Sequence, residues 1–184
     1  MFDDRHGPVP DDVRYLVEFL NTVDIENGTD ELAESSSFAR WLGATKLIHR
    51  RTLASARELR AARTLRDGLR AVAASNSGQS SDRQALDAAG RVLDALPIHL
   101  QVVTSGSPLA AAGEGVAVAL ATIGVAYVSA VERDRLARIK LCAAPNCRWA
   151  YWDSSKNASR RWCAMGVCGA RSKMRDYRMR KSIP

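Results

Sequence analysis

Cys142-Ala-Ala-Pro-Asn-Cys147 and Cys163-Ala-Met-Gly-Val-Cys168 hold all four cysteines of this 184-residue chain. Each pair is a Cys-x4-Cys unit, a loop short enough to turn both sulfurs toward one atom, and the fifteen residues between the pairs leave room for a hairpin that brings the two loops together. Four thiolates around one ion make a closed tetrahedral site with sulfurs at about 2.3 Å and no open position for a substrate. Two disulfides are the competing arrangement, and they persist in oxidising compartments. The first residues, Met1-Phe2-Asp3-Asp4-Arg5-His6-Gly7-Pro8, have neither the basic nor the apolar region of a signal peptide, so the expected compartment is the cytoplasm, where paired cysteines favour metal. The reading is therefore one structural zinc held by Cys142, Cys147, Cys163 and Cys168, with iron suited to the same sulfur set.

Charge divides the chain at the same place. Residues 138–184 carry twelve Lys or Arg and two acidic residues, net +10, so the overall +7 leaves −3 for residues 1–137. A mildly acidic body precedes a strongly basic tail. The domains expected are a mostly helical 1–137 and a finger over 138–184.

In the body, Val13, Leu16, Val17, Leu20 and Val23 mark one face of a helix within Asp11–Ile25. A longer helical signal covers Thr45–Ala74, with Leu59, Ala62, Leu65, Leu69 and Val72 on one face. Arg57, Arg60, Arg63, Arg66 and Arg70 lie on the others and read as a solvated surface. Ser75–Ser81 is a loop by composition, and a third helix is expected from about Asp82 to Ala95. After Pro97, the alternation over Ile98–Val103 predicts a short strand. Gly115–Ala137 is apolar and Ala-rich. Glu114 and Glu132 bound it and its apolar run is short for a membrane span, so a buried central helix is expected and no membrane association.

Catalytic patterns are sparse. His6, His49 and His99 are scattered, Gly113-Glu114-Gly115 lacks the rest of a dinucleotide fingerprint, and the carboxylates form no acid and base pair, so an enzyme is not expected. The tail reads differently. Arg148-Trp149-Ala150-Tyr151-Trp152-Asp153 looks like an aromatic strand, Ser154-Ser155-Lys156-Asn157 a turn, and Arg160-Arg161-Trp162 the return to Cys163. Knuckle, hairpin, second cysteine pair and helix is the order of a treble-clef finger. On the helix expected after Cys168, Arg171, Arg175 and Arg178 share a face, with Met174 and Tyr177 beside them as packing residues.

The string running from Cys142 through Lys156-Asn157, Ser159-Arg160-Arg161-Trp162-Cys163, Met165 and Cys168-Gly169 to Arg171 and Lys173 resembles the CGNR zinc finger, a C-terminal bacterial module. Val17-Glu18-Phe19-Leu20-Asn21-Thr22 and Trp41-Leu42 resemble the ABATE domain that precedes it. Ala170 stands where the finger family has asparagine. The resemblance implies a stress-induced transcription regulator with a DNA-binding finger. The periodicities and the order of elements predict a mainly α N-terminal domain with a minor β element, followed by a small treble-clef-like zinc finger with four cysteine ligands.

The residues expected to meet nucleic acid are Arg160, Arg161, Arg171, Lys173, Arg175 and Arg178, with double-stranded DNA as partner. RNA binding, using aromatics beside arginines, is the nearer alternative. A protein-interaction module built on Trp149, Tyr151, Trp152 and Trp162 is the other, although a module this small needs its rings for packing. The body would then be a sensor for a small-molecule effector, a homodimerisation unit, or both.

Overall fold

A computed structural model describes residues 9–48 and 53–181. The chain runs through α1 (Asp11–Leu20), β1 (Val23–Asp24), β2 (Thr29–Asp30), α2 (Ser35–Ala44), α3 (Ala56–Asn76) and α4 (Arg83–Asp94). It continues through β3 (Ile98–Leu100), β4 (Leu109–Ala111), α5 (Gly115–Glu132), β5 (Ile139–Leu141), β6 (Ala150–Trp152) and α6 (Ala170–Lys181). The strands form three separate antiparallel pairs, β1 with β2, β3 with β4 and β5 with β6. The chain is mainly helical with minor β elements, as its sequence predicts.

Several boundaries differ from the periodicity, each for a local reason. α1 stops at Leu20, because the chain turns through Asn21 and Thr22 into β1, with the Thr22 hydroxyl donating to Phe19 O at 2.8 Å. The long central helix does not start at Thr45. Ser55 caps it: its N–H donates to the Glu58 carboxylate at 2.8 Å, and its hydroxyl accepts from Glu58 N–H at 3.2 Å, a capping box that starts the helix at Ala56. α2, which the periodicity does not announce, fills the preceding segment and buries Phe38 and Leu42. α4 begins after Asp82, whose carboxylate accepts from Ala85 N–H at 3.1 Å. The strand expected at Ile98–Val103 is present over Ile98–Leu100, with Leu109–Ala111 as its partner. His99 is exposed on it, while His6 and His49 lie outside the described residues.

Helices α1, α3 and α5 enclose the core around Leu16, Phe19, Leu20, Leu65, Leu69, Leu120 and Ile123. α5 has the length and apolar composition of a membrane span, yet it packs on α1, α3 and β4 and buries residues on several sides, among them Leu120, Ala121, Ile123 and Ser129. α3 and α4 cross so closely that a Cβ on Gly68 would stand 2.2 Å from Cβ of Ala89. Only glycine admits that approach.

The arginines of α3 are not a uniformly solvated surface. Arg66 is buried, with its guanidinium on both carboxylate oxygens of Asp30 at 2.5 and 3.0 Å. Arg63 donates to Leu32 O at 2.6 Å, and Arg70 to Leu20 O at 2.7 Å and Arg148 O at 2.9 Å. Arg63 and Arg70 clamp neighbouring backbone and Arg66 holds a carboxylate, uses of guanidinium that apolar spacing does not reveal. Burial, together with the charges of Arg66 and Arg148, pushes the Arg70 pKa down to about 10, leaving it charged at neutral pH. Arg57 and Arg60 are exposed as expected.

Candidate metal centre and nucleic-acid surface

The metal centre is built on the hairpin β5–β6. Its register pairs Ile139 with Trp152, Lys140 with Tyr151 and Leu141 with Ala150. Alternation sends Ile139, Leu141, Ala150 and Trp152 into the core of the body, and Tyr151 into a second cluster with the four cysteines. Both faces are buried. The finger is thus docked on the body rather than being the separate lobe its charge suggests, because one face of its own hairpin completes the body's core.

Cys142 and Cys147 lie in the loop joining the two strands, so the aromatic strand finds its partner before the first cysteine pair, not in the return segment Arg160–Trp162. That segment meets the first loop through Ala143 N–H, which donates to Arg161 O at 2.9 Å. Cys163 follows it, and Cys168 lies in a π-helical turn, Met165–Gly169, that leads directly into α6. A Cβ on Gly169 would approach Met165 Sδ to 2.4 Å and Trp162 Cδ1 to 3.0 Å. Glycine lets the Trp162 ring and Met165 fold over the turn beside the cysteines.

All four sulfurs are buried and lie within 4.8 Å of one another, with Cys147 to Cys163 and Cys163 to Cys168 both 3.7 Å. Tetrahedral zinc with bonds of about 2.3 Å requires sulfurs about 3.8 Å apart, so the spacing fits. Their protonation points the same way. Donation from Cys147 and Cys163 lowers the Cys142 pKa, whereas the shared hydrogen bonds with Cys142 raise Cys147 and Cys163. Burial and the Cys142 charge raise Cys168. Four thiolates this close and buried repel one another; a dication offsets the repulsion, and its binding releases protons.

Around the sulfurs, Tyr151 is buried and its hydroxyl donates to Arg160 O at 2.6 Å; burial and nearby Asp153 raise its pKa. Trp149 and Trp162 pack partly buried against the cysteines, while Trp152 points into the body. A buried pair that the sequence reading missed orders the loop after β6. Lys140, 6% exposed, donates to Asp153, 0% exposed, at 2.8 Å. Asp153 also accepts from Ser155 N–H at 3.0 Å, the Ser155 hydroxyl at 2.6 Å and Arg160 N–H at 2.9 Å. Its burial would raise the carboxyl pKa, but the donation from Lys140 and Ser155 outweighs it and holds the group below the usual range. Lysine at an alternate strand position facing away from the body was the one available signal.

Both edges of the hairpin are closed by side chains of the body. On the β6 edge, Asn21 Nδ2 donates to Ala150 O at 2.9 Å, and Ala150 N–H donates back to Asn21 Oδ1 at 2.7 Å, so one amide takes the place of a third strand. On the β5 edge, Asn76 donates to Leu136 O at 2.8 Å and Ile139 O at 3.0 Å, Leu141 N–H donates to the Ser77 hydroxyl at 2.8 Å, and Gln79 donates to Leu141 O at 3.2 Å.

These positions agree with the family comparisons. The profile of the family described as "Putative stress-induced transcription regulator", ABATE, matches residues 14–143, and that of the CGNR zinc finger matches residues 138–181. The chain belongs to the ABATE family. It ends in a CGNR zinc finger, and its four cysteines hold one structural zinc ion. The two matched segments overlap over 138–143, which contains β5 and Cys142, the part shared by body and finger. No curated protein matches the chain.

The six cations expected at nucleic acid are not equivalent in this ABATE protein. Arg160 donates to Cys163 O at 2.5 Å with its guanidinium 5.2 Å from the Tyr151 ring centre, and so serves the scaffold. Arg161 is exposed beside Trp162, at 5.3 Å. Arg171 forms an ion pair with Glu26 in the β1–β2 turn, which raises its pKa. Lys173, Arg175 and Arg178 are exposed along α6. Ala170, where the finger family has asparagine, is exposed at the start of α6 and is not among the residues of the buried cysteine cluster. Met174 and Tyr177, expected to pack, are instead 53% and 52% exposed.

Proposed function

We infer that this protein is a cytoplasmic, non-enzymatic transcription regulator that binds double-stranded DNA through α6 and the adjoining basic loop. The observation that carries the reading is the way α6 leaves the zinc site: among its described side chains Ser172 is buried, and every one from Lys173 to Lys181 is exposed. A 12-residue helix, about 18 Å long, thus stands out from the scaffold with a cationic surface, the shape and charge that a DNA groove accepts. Zinc supplies the rigidity that so small a module lacks. The body, joined to the hairpin by Asn21, Arg70, Asn76 and Gln79, would orient the finger and serve as sensor or homodimerisation unit. A pair of fingers would bury more of an operator than one. Burial of Tyr151 and Trp152 supports DNA over base stacking on RNA.

The test is a titration of duplex DNA at near-physiological salt, comparing wild type with the Arg171/Arg175/Arg178 triple alanine variant. Wild type should bind more tightly, and its log affinity should fall with log salt more steeply, by about three units if all three meet phosphates. Equal affinities with zinc retained in both would remove this helix from the mechanism.

A further inference from the structure

The outward side of α6 has an order that charge alone does not explain. At about 100° per residue, Met174 and Tyr177 project on the side opposite buried Ser172. Arg171, Arg175 and Arg178 follow one flank of this crest, and Lys173 and Arg180 the other. A helix that packs on its own core buries its apolar residues, but this one leaves Met179, near the Ser172 side, 54% exposed, and carries Met174 and Tyr177 between two rows of cations, with Lys181 over the Tyr177 ring at 5.1 Å.

The occupant of such a face must offer anionic walls on both sides of a floor with apolar groups. The same helix of a second copy would set these cations against themselves. A membrane-surface helix needs a broad apolar face, and two side chains are too narrow a strip. The major groove of duplex DNA fits: it is about 12 Å wide, lined by phosphates on both sides, and carries the 5-methyl groups of thymine on its floor. Met174 and Tyr177, with Cβ atoms about 5–6 Å apart, would span one to two base steps of about 3.4 Å each.

Building on the DNA-binding reading above, we propose that Met174 and Tyr177 are the specificity-determining residues of this protein, lying on the floor of the major groove against thymine methyl groups while the flanking cations hold the phosphates. The protein then prefers A·T pairs at adjacent steps of its site.

The test uses the full-length zinc protein. A duplex is selected from a random 20-base-pair library, then synthesised with thymine or with deoxyuridine in its core, which removes only the methyl groups. Fluorescence anisotropy at near-physiological salt compares wild type, Met174→Ala, Tyr177→Ala and the triple arginine variant, each with zinc content measured. Wild type should bind the uracil duplex about fourfold more weakly per methyl contacted. Met174→Ala and Tyr177→Ala should bind the thymine duplex more weakly and lose part of the discrimination. A selection with no preferred core overturns the proposal. So do equal affinities of wild type for thymine and uracil duplexes, even if the triple arginine variant still loses binding, a result that leaves the DNA reading in place. Wild-type binding no tighter than that of the triple variant removes the DNA reading itself. If binding to phosphatidylserine vesicles or self-association in sedimentation depends on Met174 while the two duplexes bind alike, the crest has another occupant and the proposal fails.

Discussion

Replacing Asn21 with alanine removes the amide that closes the β6 edge of the zinc hairpin. Two hydrogen bonds are lost, at 2.9 and 2.7 Å, and both belong to the backbone of Ala150, which is fully buried. A hydrogen bond contributes about 0.5–1.5 kcal/mol net, and an orphaned buried polar group costs about 1–3 kcal/mol. Water entering the gap would recover part of this, so the expected loss is about 2–4 kcal/mol, a large share of the roughly 5–15 kcal/mol that holds a domain folded. With a urea slope of about 2 kcal/mol/M, the midpoint should move down by about 1–2 M. The assay is urea unfolding followed by circular dichroism, with zinc release read by a chromogenic chelator in the same titration. Both midpoints should fall together, because the hairpin belongs to both cores. Asn21→Asp, which keeps the acceptor for Ala150 N–H and loses the donor, should fall between. A change within about 0.5 kcal/mol, or zinc release unmoved while the helices weaken, would refute the idea that this amide joins body and finger.

Elemental analysis should find one zinc per chain, and Cys163→Ser should lose it; since Ile139, Leu141, Ala150 and Trp152 complete the body's core, the helical signal of that variant should also melt earlier. Asp153→Asn leaves Lys140 charged and buried without its counterion, at a cost of about 3–5 kcal/mol at neutral pH. Because the folded pKa of Asp153 is depressed, its contribution is present above the unfolded value of about 3.9 and is lost as pH falls through the lower folded value. Wild type and variant should therefore converge in stability below about pH 4, as read by acid titration of the unfolding midpoint; a constant gap down to pH 2 would contradict the assignment. Glu26→Gln releases Arg171 from its ion pair and should raise affinity for duplex DNA by about twofold to fivefold. The gain should vanish in an Arg171→Ala background, whereas a gain that persists there would mark a general charge effect.

The metal ligands were legible from their spacing, because two Cys-x4-Cys loops with a hairpin-length spacer can turn four thiols toward one ion. The helices near residues 11–20, 83–94 and 115–132 were legible as well, since apolar periodicity records which face is buried. α2 was not: its ten residues bury little beyond Phe38 and Leu42 and leave a weak stripe. The start of α3 was written in Ser55 and Glu58, a capping signal that the longer periodic run concealed.

Sequence by itself thus determined which atoms bind the ion and that the tail is cationic, for both are properties of residue type and local spacing. Tertiary structure decided what each cation does. Arg66 meets Asp30 across 36 residues, Arg171 meets Glu26 across 145, and Asn21 meets Ala150 across 129, and no local pattern encodes a partner at such a distance. It also decided that Met174 and Tyr177 face outward. Helical spacing places residues on a common stripe, but which stripe meets the core depends on how the turn at Cys168 aims the helix, and that is fixed by the cysteine cluster and by the packing of Trp162 over Gly169.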